Sequence, residues 1–218
     1  METKGAPARK KLPKLVVGLT GVAASGKSTV AGMFRDFGFQ HTSINEALKR
    51  EVEAMSLRVT RENMKFVGER LFAKHGCGIL AVYARSWIVE KGGAFWTIEG
   101  IANPHEVAEL NKLPSFILVG VECGFEQVFM RMAIMRRRSD MASRGRIEKH
   151  FYEQLGEEGV KGYWQIGRCL ELAEYTIDNH RQYDPDVDLK TTDLFRQVER
   201  FVAQRGVMTP PWAREGSE

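Results

Sequence analysis

One segment constrains this chain more than any other. Gly21-Val22-Ala23-Ala24-Ser25-Gly26-Lys27-Ser28-Thr29 fills every fixed position of the pattern G-x-x-x-x-G-K-[ST], and it is entered through the apolar run Leu15-Val16-Val17-Gly18-Leu19. The spacing has a mechanical reason. Two glycines let successive backbone N–H groups wrap a polyphosphate, a lysine at Lys27 reaches its β and γ phosphates, and a hydroxyl at Ser28 ligates Mg²⁺. A helix opening near Gly26 points its positive end at the same anion. An ordinary glycine-rich turn would lack the flanks seen here: a buried-type strand before the loop, and Val30, Met33, Phe34 and Phe37 at helical spacing after it. The segment therefore reads as a nucleoside-triphosphate loop in a strand–loop–helix unit, with Gly21, Ala23, Ala24, Ser25, Gly26, Lys27, Ser28 and Thr29 around the phosphates. ATP or another NTP, with Mg²⁺, is the expected ligand.

At 218 residues the chain is long enough for one buried core and short for two full domains. Its 43% hydrophobic and 28% charged content excludes a disordered or fibrous class. The net charge of +4 is concentrated in Lys4, Arg9, Lys10, Lys11 and Lys14 and in Arg136, Arg137, Arg138, Arg144 and Arg146, clusters that suit phosphate ligands as well as nucleic acid. Cys77, Cys123 and Cys169 are widely spaced and form no C-x-x-C pair, which points away from a disulfide framework or zinc site and toward a reducing cytoplasm. No apolar run reaches membrane-spanning length, so no membrane partner is expected.

Periodicity organises the rest. A short strand over 39–43 leads into a helix from Ile44 to Met55, with Ser43 and Glu46 spaced as a capping box; Thr60 caps a helix carrying Met64, Val67 and Leu71; a third helical pattern runs from Ile79 to Glu90. Phe95 to Gly100 reads as a strand, taken here as central, with Glu99 at its carboxyl end. Asn103-Pro104-His105-Glu106 is a strong helix start. Ser115 to Val121 is a further strand, followed by a helix with Phe125, Val128, Phe129, Met132 and Met135 along one face. The polar, arginine-rich stretch 136–146 interrupts; then come a helix over 162–173, a strand at 175–177, and a last helix burying Leu194, Phe195, Val198, Phe201 and Val202. Alternating strands and helices predict a parallel sheet covered on both faces, an α/β class.

The run Val17 to Val30 resembles dephospho-coenzyme A kinases, as does Ala173-Glu174-Tyr175-Thr176-Ile177-Asp178-Asn179. Thr60-Arg61-Glu62-Asn63, Glu99 to Val107 and Arg131 to Asp140 are similar to P-loop proteins related to deoxynucleoside monophosphate kinases. The resemblance covers residues 15 to 203. It implies a P-loop NTPase fold with a parallel five-stranded sheet flanked by helices, an acceptor-binding helical insert (about 44–92) and an arginine-bearing lid (about 136–160), between a basic tail over 1–13 and a C-terminal tail over 207–218. Two departures stand out. Relatives carry Asp-Gly-Ile-Arg-Asn-Pro where this chain has Glu99-Gly100-Ile101-Ala102-Asn103-Pro104, so a guanidinium for the acceptor phosphate is absent at Ala102; and a Gly-Asp-x-x-Arg pattern stands here as Asn45-Glu46-Ala47-Leu48-Lys49.

Phosphoryl transfer needs in-line positioning and charge neutralisation, so cations and Mg²⁺-handling carboxylates are the candidates. Catalytic candidates are Lys27, Glu99, Arg131, Arg136 and Arg138; metal candidates are Ser28 and Glu99; acceptor-binding candidates are Glu46, Lys49 and Arg50. The capping box explains Glu46 without any function, and a solvated helix face does the same for Lys49 and Arg50. His41, His75, His105, His150 and His180 show no metal-ligand spacing and receive no role; Trp87, Trp96 and Trp164 read as core. Two functions fit: an ATP-dependent phosphotransferase acting on a nucleoside monophosphate, deoxynucleoside monophosphate or dephospho-coenzyme A-like acceptor, or a nucleotide-sensing P-loop NTPase. The expected partners are small nucleotides, with a homodimer allowed and nucleic acid disfavoured, because no helicase-type second motif and no aromatic-interleaved basic stripe is present.

Overall fold

The computed structural model describes residues 12–135, 144–156, 163–181, 184 and 186–207. Five strands, β1 (Leu15–Thr20), β2 (Gln40–Ser43), β3 (Phe95–Ile101), β4 (Phe116–Glu122) and β5 (Tyr175–Asp178), form one sheet in the order β2-β3-β1-β4-β5. Every pairing is parallel. β1 is the centre, and all six of its residues are buried. β3, expected to be central, lies beside it, and so Glu99 pairs with Leu19 of β1 on one side and Ser43 of β2 on the other.

Side-chain alternation sorts the core into two layers. Leu15, Val17 and Leu19 of β1 face the layer that also holds Val119, Val121 and Ile177. Against it pack α1 (Lys27–Asp36), through Val30, Met33 and Phe34, and α9 (Asp193–Gln204), through the stripe Leu194, Phe195, Val198, Phe201 and Val202. On the opposite face Val16, Trp96, Ile98 and Leu118 meet α2 (Ile44–Ala54), α3 (Arg61–His75), α4 (Ile79–Lys91) and α5 (Pro104–Leu110).

The helix starts obey the expected local chemistry. Ser43 accepts the Glu46 N–H and Thr60 accepts the Asn63 N–H. At α2 the box is half made, because Glu46 turns to Lys49 at 3.1 Å instead of back to the cap. At α5 it is complete, with Asn103 and Glu106 capping reciprocally.

α6 (Phe125–Met135) is followed by α7 (Arg144–Leu155), a helix that the arginine-rich stretch did not announce. Its sequence offers only Ile147 and Phe151 as large buried apolar residues, too thin a stripe to read from period alone. Both pack into a third cluster with Val22, Ala102 and Val128, so α7 rests on the phosphate loop and the end of β3. α8 (Ile166–Glu171) is shorter than the helix expected over 162–173, and the segment 163–165 before it is not helical. The tail segments 1–11 and 208–218 and the arginine cluster 136–143 lie outside the described residues.

Candidate phosphate and acceptor site

α1 leaves β1 toward one face of the sheet and α5 leaves the neighbouring β3 toward the other. The carboxyl ends of these two strands therefore open a crevice between them, the place where open α/β sheets hold ligands. The 21–29 loop and Glu99 meet there.

The loop's shape depends on two glycines. Gly26 caps α1 at φ 103°, a backbone setting that side chains rarely adopt, and a Cβ there would lie 2.2 Å from the Asn179 amide nitrogen. At Gly21, φ is 143° and a Cβ would come within 2.4 Å of the Val121 carbonyl oxygen. Ala24 also has a positive φ, 61°, so the loop holds one non-glycine residue in a strained setting.

Lys27 Nζ donates to the carbonyls of Gly21 and Val22, each at 2.7 Å. Burial of its ammonium lowers the pKa from 10.5 to about 8, against a partial restoration by the Glu99 carboxylate. Ser28 Oγ donates to Glu99 Oε2 at 3.0 Å. His41 Nε2 stands 3.5 Å from Glu99 Oε1 with no hydrogen-bond partner among the described residues, a long electrostatic contact. The His41 contact, with Ser28 and Lys27 beside it, holds the Glu99 carboxyl below its ordinary range although burial opposes this. Two hard oxygens, the Ser28 hydroxyl and an ionised Glu99, form a donor set that fits Mg²⁺. His41 had no sequence signal; it reaches Glu99 because β2 pairs with β3 and sets His41 opposite Thr97.

Arg131 lies beneath the loop. Its guanidinium is buried and donates to four carbonyls: Ala24 and Ser25 at 3.1 Å, Asn179 at 2.6 Å and Arg181 at 3.1 Å. All of these donations go to backbone oxygens, and Arg131, a catalytic candidate in the sequence, ties the loop to the segment after β5. Asn179 adds a further bond, from its side-chain amide to the Ser25 carbonyl at 2.7 Å. Arg136 and Arg138 lie outside the described residues.

A cleft of about 830 Å³ opens from Gly21, Ala23 and Lys27 toward the helical insert. Its walls are largely apolar, with Leu48, Met64, Phe72, Tyr163 and Trp164 among them. Phe72 and Tyr163 stack at 4.5 Å between ring centroids. Trp164, read as core from the sequence, is 44% exposed and belongs to this wall. The cations on the insert side are Arg61 and Lys65 of α3. The acceptor candidates Glu46, Lys49 and Arg50 do not line the cleft: Glu46 and Lys49 pair with each other, and Arg50 stacks on Trp87 at 3.9 Å. From α2 the cleft is lined by Ile44, Asn45 and Leu48, one helical face rather than the charged one.

Ala102, where relatives place a guanidinium, is buried in the apolar cluster of Val22, Ile147 and Phe151. Glu106 behind it is fully buried. Its carboxyl accepts the N–H of Ala102 at 2.8 Å and of Asn103 at 3.2 Å, and the Tyr163 hydroxyl donates to it. Burial pushes its pKa up to about 7.

Fold and loop together define an α/β fold of the P-loop NTPase type. Among solved structures the chain is similar to TT1252 from Thermus thermophilus, with a TM-score of 0.55 and 20% identity over 92% of this chain and 100% of that one. It is also similar to a shikimate kinase from Bacteroides thetaiotaomicron, with a TM-score of 0.54 and 13% identity over 87% and 97% of the two chains. By sequence it is 25% identical to a UPF0200 protein of Methanoregula boonei over 85% of this chain and 98% of that protein. A UPF0200/UPF0201 protein of Archaeoglobus fulgidus is 28% identical over 79% of this chain and 53% of its own length. No protein-family model matches the chain.

Proposed function

We propose that this chain is an ATP-dependent phosphotransferase that passes the γ-phosphoryl group of Mg·ATP to a small nucleotide-like acceptor in the cleft. The observation that carries this reading is the continuity of the two sites: Gly21, Ala23 and Lys27 of the phosphate loop are themselves one end of the 830 Å³ cleft. A chamber of that size against the phosphates is what a second substrate requires. The likeness of the fold to a shikimate kinase supports the same reading.

Each residue has a role that follows from its surroundings. Lys27 exchanges the carbonyls of Gly21 and Val22 for phosphate oxygens. Ser28 and Glu99 would hold Mg²⁺, which when bound neutralises charge on the phosphates. The depressed pKa of Glu99 suits a carboxylate that holds a cation better than one that takes a proton. Arg131 and Asn179 keep the loop carbonyls of residues 24 and 25 turned away from the anion. Phe72, Tyr163 and Trp164 line the chamber with aromatic surface that would pack against a planar acceptor such as a nucleobase. The three unpaired cysteines suit a reducing cytoplasm.

The apolar setting of Ala102 favours a second reading, a nucleotide sensor that binds ATP without passing its phosphate on. Release of ADP from Mg·ATP, followed across nucleoside and deoxynucleoside monophosphates and dephospho-coenzyme A with a Lys27→Ala control, separates the two. Stimulation by one acceptor that vanishes in the control is the expected result; tight ATP binding with no stimulated turnover would overturn the kinase reading in favour of the sensor.

A further inference from the structure

The buried side chains of α7 are Ile147, Phe151 and Gln154, spaced i, i+4 and i+7 along one face. The first two fill the apolar cluster beside Val22 and Ala102. The third continues their stripe with a carboxamide, 5% exposed, where another apolar residue would have packed at no polar cost. Its Oε1 accepts the N–H of Ala23, in the phosphate loop, at 2.7 Å.

That bond fixes the orientation of the amide, because a backbone N–H can only donate and the acceptor must be the carbonyl oxygen. The Nε2 group is thereby turned away from Ala23. It has no hydrogen-bond partner among the described residues, and it is not one of the sealed unpartnered atoms of the interior. Gln154 lines the cleft together with Gly21, Ala23 and Lys27. An N–H₂ donor with no partner among the described residues thus stands at the junction of loop and cleft, which Lys27 also lines.

We propose that Gln154 Nε2 donates to the γ-phosphoryl group of bound ATP, at the end of the nucleotide that faces the cleft. This rests on the reading of the 21–29 loop as an ATP site. The donor is neutral, so it orients the group without adding charge, and Lys27 is then the cation of that end among the described residues.

The test compares two ligands that differ at the γ position: Mg·ADP and a β,γ-imido analogue of Mg·ATP, titrated calorimetrically into the full chain. Gln154→Glu keeps the length and the acceptor for the Ala23 N–H but replaces the donor with a negative charge. Affinity for the triphosphate should fall about tenfold or more, since hydrogen bonds to charged groups are worth 1.5–3 kcal/mol, while ADP stays within about twofold. Gln154→Met keeps the volume and removes donor and acceptor. It should also lower the ratio of triphosphate to diphosphate affinity, whatever it does to both together, and thermal unfolding reports whether each variant is folded. An unchanged ratio in the folded variants overturns the role of Gln154. Failure of the unaltered chain to bind either nucleotide overturns the underlying ATP-site reading instead.

Discussion

Lys27 shows how a loop can both build and strain its own chemistry. The backbone that wraps a phosphate also encloses the ammonium, and burial lowers its pKa from 10.5 to about 8. Between those two values the folded chain binds fewer protons at Lys27 than the unfolded chain, so this group's contribution to stability rises with pH across that window. Phosphate oxygens around the ammonium reverse the shift. ATP binding near pH 9 should therefore take up as much as about one proton, and affinity should weaken as pH climbs above 8. Calorimetry in buffers of different ionisation enthalpy reads the uptake directly; an enthalpy independent of buffer at pH 9 would show that Lys27 does not enter the phosphate site. At pH 7 the same group should contribute none.

At the level of elements, the start of α5 joins three parts of the molecule through one carboxyl. Glu106 completes the cap of its own helix, accepts the last amides after β3 and receives the Tyr163 hydroxyl from the cleft wall. Asn103 reinforces this by donating to the Tyr163 carbonyl at 2.6 Å. Because burial raises Glu106 to about 7, the folded state binds more protons there than the unfolded state from about pH 4.5 upward. Stability is lost as pH rises through that window and the cost is fully present above 7. Glu106→Gln keeps an acceptor for the cap and removes the charge. Relative to the unaltered chain, the variant should gain with rising pH from 5 to 7, by at most about 3 kcal/mol. Denaturant unfolding at both pH values measures it, and a difference that does not change with pH would mean that Glu106 is ionised throughout.

For the whole molecule, α1 and the helices 44–91 hang on opposite faces of one sheet, and the loop between β1 and α1 lines the cleft at the strand ends. A ligand there should brace several elements together. Mg·ATP at a hundredfold excess over its Kd should add about 2.7 kcal/mol, which for a chain of this size corresponds to a rise in Tm of about 5–10 °C. Lys27→Ala should lose most of that rise, and a variant that keeps it would show that nucleotide binds elsewhere. Much of this architecture was legible in the chain itself. The phosphate loop, the stripe of α9, the helix starts at Ser43, Thr60 and Asn103 and the five strands all follow from patterns within a few residues. α7 was not, because two buried apolar residues among arginines, lysines and glutamates leave almost no periodic signal.

The sequence by itself determined that a glycine-lysine loop of the P-loop pattern follows the first strand and that strands and helices alternate behind it, since glycine freedom, capping and apolar period act over short distances. Only the tertiary structure decided which side chains face that loop. His41 meets Glu99 through strand pairing, Arg131 is consumed by four carbonyls beneath the loop, and Gln154 arrives at Ala23 from 131 residues away. The cleft wall of Phe72, Tyr163 and Trp164 is likewise assembled from distant segments. Such contacts depend on how helices cross the sheet, a property set by the packing of the entire core and carried by no local pattern.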